Sequence, residues 1–134
     1  MHFTTPVLAI LLSSSLTSAL GINCKGSGTC TLCSVGLDEL SGLINSDLSD
    51  SKKFVNGDKV ACIGCRHVVG GLCAIVQNIG GGNVEGLVVK QKVSDLLSHG
   101  CKGCGSCPVF PGNDVSTGEI TVNYVKNHCG TKIC

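Results

Sequence analysis

The sequence has few aromatic side chains and almost no net charge. Its 134 residues include no tryptophan, one tyrosine and three phenylalanines, and the formal net charge is +1. A nearly neutral chain argues against a nucleic-acid partner and against electrostatic binding to a membrane surface. The scarcity of aromatic rings counts against a sugar-stacking site, and it leaves small aliphatic side chains and sulfur to form the core.

Common catalytic and cofactor motifs are also missing. The sequence contains no Gly-x-Ser-x-Gly and no His-Glu-x-x-His motif, and no Lys-Ser/Thr pair follows the glycine triplet at residues 80–82. The histidines after residue 19 are His67, His99 and His128. The carboxylates show no pairing beyond Asp38-Glu39, whereas hydrolysis needs a base with a positioned partner. We therefore predict that the protein is not an enzyme and uses no cofactor.

Residues 1–19 have the composition of a secretory signal peptide. They contain no acidic residue, no lysine or arginine and no cysteine. The apolar run Val7–Leu12 is too short to span a bilayer, and it is followed by serines and by the small residues 17–19. A buried N-terminal helix is the alternative interpretation. We expect cleavage after Ala19 and a secreted, extracellular domain at residues 20–134.

Cysteine is the abundant residue, and all 11 cysteines follow residue 19. Two-residue spacing, as in Cys62-x-x-Cys65 and Cys101-x-x-Cys104-x-x-Cys107, is typical of zinc and iron–sulfur sites in the cytosol. In the secretory pathway the same thiols are oxidised, and a short chain with about a tenth cysteine is a disulfide scaffold. The sequence therefore predicts disulfides, each worth about 2–4 kcal/mol, and no metal site.

Hydrophobic periodicity predicts two helices, Leu37–Leu48 and Asn83–Ser98. Ser34 and Asn83 are the expected N-caps, and Gly100 is the expected left-handed C-cap of the second helix. The predicted strands are Gly21–Lys25, Val60–Ile63, Leu72–Gln77 and Glu119–Val125. The polar composition of Ser49–Lys59 predicts a surface loop. Within it, the pair Lys52-Lys53 is either solvated or a processing site. This order predicts an α+β fold with two helices on one face of a mainly antiparallel sheet.

Three blocks of sequence resemble a known family. They are Leu20–Ser27 (LGINCKGS), His99–Ser106 (HGCKGCGS) and Gly112–Val125 (GNDVSTGEITVNYV), which continues to Cys129. Together with weaker matches at Ala61-Cys62 and Ala74–Gln77, they resemble the family of the fungal killer toxin called killer protein four. Residues 31–60 and 78–95 match poorly. The resemblance implies a monomeric α/β sandwich, with two antiparallel helices covering an antiparallel sheet.

The resemblance also implies a disulfide pattern. It pairs Cys24 with Cys101, Cys30 with Cys104, and Cys62 with Cys129. The unmatched cysteines are Cys33, Cys65, Cys73, Cys107 and Cys134. For these we expect Cys65–Cys73 and Cys107–Cys134 with Cys33 left over, and Cys33–Cys73 is the alternative. Because the set is odd, one thiol stays free or forms a disulfide-linked dimer.

The function implied by the resemblance is that of a secreted toxin. Family members are toxic to other fungi, by blocking calcium channels rather than by catalysis. We expect inhibition of competing or host cells through a membrane protein such as a calcium channel. Lys59 is the candidate target contact, and a solvated lysine is the alternative. The alternative function is a host-interaction effector or binding module without toxin activity, which would sequester a wall glycan or a partner protein.

Overall fold

The computed structural model describes residues 20–134, and the predicted signal peptide lies outside the described residues. The described chain forms two α-helices and seven β-strands. The helices are α1 (Leu37–Asp47) and α2 (Gly86–Ser98). The strands are β1 (Lys53–Val55), β2 (Lys59–Gly64), β3 (Gly71–Gln77), β4 (Asn83–Glu85), β5 (Gly105–Pro108), β6 (Glu119–Val125) and β7 (Lys132–Ile133). Within residues 20–134 neither helix has the length and apolar character that a membrane span requires.

Five strands form one antiparallel sheet in the order β5-β6-β3-β2-β7. Strands β1 and β4 form a separate two-stranded antiparallel sheet. Helices α1 and α2 pack on each other. Helix α1 also packs against β2, β3 and β7, and helix α2 packs against β5 and β6. The predicted α+β class, with two helices packed on an antiparallel sheet in a disulfide-rich chain, is confirmed.

The core lies between the helices and one face of the large sheet. Because side chains alternate along a strand, every second residue of β3 and β6 faces this core. The fully buried residues on the core-facing side of these two strands are Leu72, Ala74, Val76, Ile120 and Val122. The helices contribute Leu37, Leu40, Ile44, Val89, Val93 and Leu96 at helical spacing. The core is aliphatic, as the composition predicts, and Phe54 is its aromatic residue in the described part of the chain.

The first helix begins where its periodicity predicts, but with a different cap. Gly36 is the N-cap, and its backbone N–H donates to Glu39 Oε1 at 3.3 Å. Ser34 lies before the cap with a positive φ of 59°, so the predicted Ser34 cap is wrong. The acidic residues Asp38 and Glu39 occupy the first turn, next to the positive end of the helix dipole.

The second helix begins three residues later than predicted. Asn83–Glu85 is strand β4, paired with β1 so that Val84 lies opposite Phe54, and both side chains are buried. The predicted Asn83 cap is therefore wrong, and β1 interrupts the segment predicted as a loop. Gly100 has a φ of +95° after the helix, as expected for a left-handed C-cap.

Three of the four predicted strands are present. Residues 60–63 and 72–77 lie within β2 and β3, and 119–125 coincides with β6. The predicted strand Gly21–Lys25 is reduced to one β-bridge, in which Asn23 and Ser106 exchange backbone hydrogen bonds of 3.0 and 2.8 Å. The short strands β1, β4, β5 and β7 carry too few residues to show a period.

Five disulfides use ten of the eleven cysteines. The bonds Cys24–Cys101 and Cys30–Cys104 are the two that join the N-terminal segment to the segment after α2, as the resemblance implies. The other three differ from the expected pairs. They are Cys33–Cys65, Cys62–Cys73 and Cys129–Cys134.

Strand register explains why Cys62 bonds Cys73 instead of its expected partner, Cys129. Cys62 and Cys73 lie directly opposite each other in the β2–β3 pair, with their Cα atoms 4.1 Å apart. The expected bonds Cys62–Cys129 and Cys65–Cys73 are therefore replaced. Cys65 lies at the turn and bonds Cys33, which is neither left over nor paired with Cys73.

The expected bond Cys107–Cys134 is excluded by strand order. Cys107 is on the edge strand β5, and Cys134 follows the opposite edge strand β7. Four steps of about 4.8 Å separate these edges, whereas Cα atoms more than about 7 Å apart cannot be joined by a disulfide. Cys134 bonds Cys129 instead, and Cys107 is the free cysteine.

Candidate functional site

Lys59 begins β2 on the sheet face turned away from the helices. It lies opposite Ile75, so it shares a face with the Cys62–Cys73 disulfide rather than with the core. The side chain is exposed, and its Nζ donates a 2.7 Å hydrogen bond to the carbonyl of Asn127. We name this region the Lys59 face and define it as Lys59, Asn127, His128, Cys129 and Lys132.

The Lys59 face is positively charged. Lys132 lies opposite Cys62 in the β2–β7 pair, which places it on the same side of the sheet as Lys59. The ion pairs of the described residues involve Arg66, Lys90 and Lys92, so neither lysine of this face has a carboxylate within 4.0 Å. The neighbouring carboxylate of Asp58 is turned away, accepting the backbone N–H of Val55 at 2.8 Å.

His128 holds the C-terminal segment against the sheet. Its ring packs on Gly71, where an added Cβ would lie 2.9 Å from the imidazole Cγ. The His128 Nδ1 accepts the backbone N–H of Gly130 at 3.2 Å. Next to it, Thr131 Oγ1 accepts the backbone N–H of Gly64 at 3.0 Å. These contacts give His128 a structural role beside Lys59.

The other two histidines are far apart along the fold. His67 is exposed in the turn between β2 and β3, and His99 is exposed at the C-cap of α2. Neither imidazole makes a hydrogen bond to another side chain within residues 20–134. The structure therefore does not bring the three histidines together into a base–nucleophile arrangement in the described chain.

A cleft of about 890 Å³ separates residues 24–35 from residues 100–104. The disulfides Cys24–Cys101 and Cys30–Cys104 form part of its wall. Lys25 and Lys102 each follow a cysteine of the first disulfide and are the charged residues of the lining. The lining contains no carboxylate and no aromatic ring. Its charge suits an anionic ligand, and its lack of rings does not suit a stacked sugar.

Cys107 lies at a smaller cleft of about 270 Å³. Its side chain is only 3% exposed, and its Sγ lies 4.0 Å from the Asp95 carboxylate. Burial raises the pKa of the Cys107 thiol, and the nearby charge of Lys92 opposes that rise while Asp95 adds to it. The thiol is therefore protonated at neutral pH and is a poor nucleophile. Its burial also leaves no sulfur on the surface for a dimer through Cys107.

The motif residues of the resemblance hold the N-terminal segment in place. Asn123 Oδ1 accepts the backbone N–H of Ser27 at 3.0 Å, and Asn113 Oδ1 accepts the backbone N–H of Ile22 at 3.0 Å. Asp114 caps a short turn by accepting two hydrogen bonds from Ser116, and these lower the pKa of the Asp114 carboxyl. The motif residues therefore have structural roles, whereas the two lysines of the Lys59 face make no ion pair within the described residues.

The fold and these sites define a small, disulfide-crosslinked α+β protein with two lysines on one exposed face and no assembled catalytic group in its described part. The Kp4 family model matches residues 7–126 of the chain. Among curated proteins, the KP4 killer toxin of Ustilago maydis P4 virus is 34% identical over 117 residues, covering 83% of this chain and 84% of the toxin. The chain therefore belongs to the Kp4 family and is a killer-toxin-like protein, which confirms the resemblance.

Proposed function

We propose that the protein is a secreted killer toxin that inhibits the growth of competing or host cells by blocking calcium channels, without catalysis. The observation that carries the proposal is the 34% identity to a killer toxin over 83% of the chain. Secretion is supported by the five disulfides, which persist in an oxidising compartment. The burial of Cys107 supports a monomer as the active form.

The Lys59 face is the proposed contact with the channel. Cation channels present rings of Asp and Glu to their permeating ions, so a cationic side chain complements the mouth of such a pore. Lys59 has no carboxylate partner and is held by a carbonyl of the same molecule, 68 positions along the chain. Its Nζ is therefore exposed and already positioned, which lowers the entropy lost on binding.

Growth and calcium entry in a sensitive fungus test this proposal. The purified protein should slow growth and reduce calcium entry measured with a fluorescent indicator, and added calcium should relieve both effects. Lys59→Gln should raise the half-inhibitory concentration by at least about tenfold, equivalent to about 1.4 kcal/mol of binding energy. Lys53→Gln, an equal charge change at an exposed position of β1, is the matched control and should have no effect.

Three results would count against this proposal. Growth inhibition without any change in calcium entry would point to another target. Equal loss of potency in the Lys59→Gln and Lys53→Gln variants would show that overall charge, rather than the Lys59 face, determines activity. Absence of inhibition across a broad panel of fungi and plant roots would refute the proposal that the protein is a toxin.

The cleft between residues 24–35 and 100–104 favours a second candidate function, that of a host-interaction effector or binding module. Its two lysines and its lack of aromatic rings suit an acidic protein partner better than a glycan. Pull-down on chitin and glucan should therefore recover little protein. A variant with both Lys25→Gln and Lys102→Gln should no longer capture the partner protein. Its effect on calcium entry should equal that of the unsubstituted protein.

A further inference from the structure

Two of the five disulfides meet at one point on the Lys59 face. The Sγ atoms of Cys62 and Cys134, which belong to different disulfides, lie 3.7 Å apart. The sulfurs of Cys62, Cys129 and Cys134 all lie within 4.8 Å of one another. Elsewhere in residues 20–134 no other three cysteine sulfurs lie this close together. Cys62 is thus in contact with a second disulfide as well as bonded to its own partner.

The two disulfides differ in their access to solvent. Cys134 is exposed and Cys129 is partly exposed, whereas Cys62 and Cys73 are fully buried. A thiol in solution can therefore reach the Cys129–Cys134 bond but not the Cys62–Cys73 bond. Because thiol–disulfide exchange needs contact between the attacking and attacked sulfurs, the buried bond is reached through the exposed one.

We propose that these four cysteines form a thiol–disulfide exchange site whose reactant is a small-molecule thiol. The external thiolate attacks Cys129 Sγ, forms a mixed disulfide there, and releases Cys134 as a thiolate. The Cys134 thiolate then attacks Cys62 Sγ, so that the Cys62–Cys134 bond forms while the Cys62–Cys73 bond breaks. Cys73 leaves with the electron pair and takes a proton. Two disulfides exist before and after these steps, so the relay consumes no further oxidant or reductant.

The exchange changes how the C-terminal segment is attached. In the structure Cys129–Cys134 closes this segment on itself, and its end is held by a 2.9 Å hydrogen bond from the Cys134 N–H to the Val60 carbonyl. A Cys62–Cys134 bond ties the segment covalently to β2, while the β2–β3 pairing is kept by its backbone register. The segment contains Asn127, whose carbonyl holds Lys59, so the exchange acts directly on the Lys59 face.

The first test treats residues 20–134, oxidised and folded, with reduced glutathione. Samples are quenched with acid, alkylated with N-ethylmaleimide and mapped as proteolytic peptides without reduction. The expected products are a Cys62–Cys134 linked peptide, glutathione on Cys129 and an alkyl group on Cys73. Opening of Cys129–Cys134 with Cys62–Cys73 intact at every time point would overturn the proposal.

The second test needs no external thiol. Cys129→Ser leaves a Cys134 thiol 3.7 Å from the Cys62 sulfur. Cys134 should then bond Cys62 and release Cys73, so that Cys73 is the free thiol in at least about half of the molecules. Cys24→Ser is the matched control, because the thiol it leaves on Cys101 has no second disulfide in similar contact in the described chain. There the free thiol should stay on Cys101. A thiol that stays on Cys134, or equal re-pairing in the control, would overturn the relay.

Discussion

Removal of the Cys24–Cys101 and Cys30–Cys104 bridges, separately and together, tests whether they stabilise the fold as a coupled pair. The bonded residues are 77 and 74 positions apart in the chain. In the chain-entropy model, closing a loop of this length lowers the entropy of the unfolded state by an amount worth about 4.4 kcal/mol at 25 °C. Each bridge considered by itself would therefore contribute about 4.4 kcal/mol.

The loops closed by the two bridges overlap along the chain, and this overlap changes the expected values. Six positions separate Cys24 from Cys30, and three separate Cys101 from Cys104. With one bridge in place, the other closes a circuit of only about nine residues, worth about 2.6 kcal/mol in the same model. Loss of either bridge alone should lower the free energy of unfolding by about 2.6 kcal/mol, and loss of both by about 7 kcal/mol.

Urea unfolding of three alanine variants measures this coupling. The variants lack the first pair, the second pair or both pairs of cysteines, and sulfate is added if the last one is unfolded in buffer. The coupling energy is the stability loss of the variant without both bridges minus the sum of the two single losses. Each variant also loses packing around the buried sulfurs of Cys101 or Cys104, but this loss occurs in both the single and the double variants and therefore largely cancels. We expect a coupling of about 1.8 kcal/mol. Additive losses, with each single loss near 4.4 kcal/mol, would refute the argument from overlapping loops.

Three further predictions concern single side chains. Burial raises the pKa of the Glu119 carboxyl, so the folded state binds this proton more tightly than the unfolded state. Below the unfolded pKa of about 4.3 the group is neutral in both states, and stability falls as the pH rises through the folded pKa. Glu119→Gln should therefore stabilise the protein in urea unfolding at about pH 7, and this gain should vanish at about pH 3.5; an equal effect at both pH values would contradict it. Asn123→Ala removes the acceptor of the Ser27 and Tyr124 backbone N–H groups and should lower the free energy of unfolding by about 1–3 kcal/mol. An unchanged urea midpoint would argue that water replaces these bonds. The buried Cys107 thiol should resist N-ethylmaleimide at about pH 7 in the folded protein and add one adduct after unfolding, measured by mass, and rapid labelling of the folded protein would contradict its burial.

The long elements of the fold were predictable because their residues repeat regularly. Helix α1 shows apolar residues at helical spacing, and β6 alternates over seven residues, so both were located correctly. The sequence does not predict β4, because Asn83 resembles a helix cap and Glu85 resembles a first-turn residue. Only the contact of Val84 with Phe54, on a strand 30 positions earlier, makes this segment extended.

The candidate site was predictable only in part. Lys59 was located through the family resemblance, but its partner Asn127 follows β6 and has no signal in the sequence near Lys59. The sequence does not indicate that Lys132 lies near Lys59, because their proximity depends on β7 joining the edge of β2. The cleft with Lys25 and Lys102 arises from two disulfides, which place two distant segments side by side.

The sequence by itself determined the chemistry of the scaffold: a short, cysteine-rich and nearly neutral α+β chain with the motifs of a killer-toxin family. Composition and periodicity are local properties, and they can be counted along the chain. The pairing of the cysteines was decided by the tertiary structure, because the Cα atoms of two bonded cysteines must lie within a few ångströms of each other. Strand order places Cys107 and Cys134 at opposite edges, and strand register places Cys62 opposite Cys73. The same register places Lys59 on the face where two disulfides come into contact.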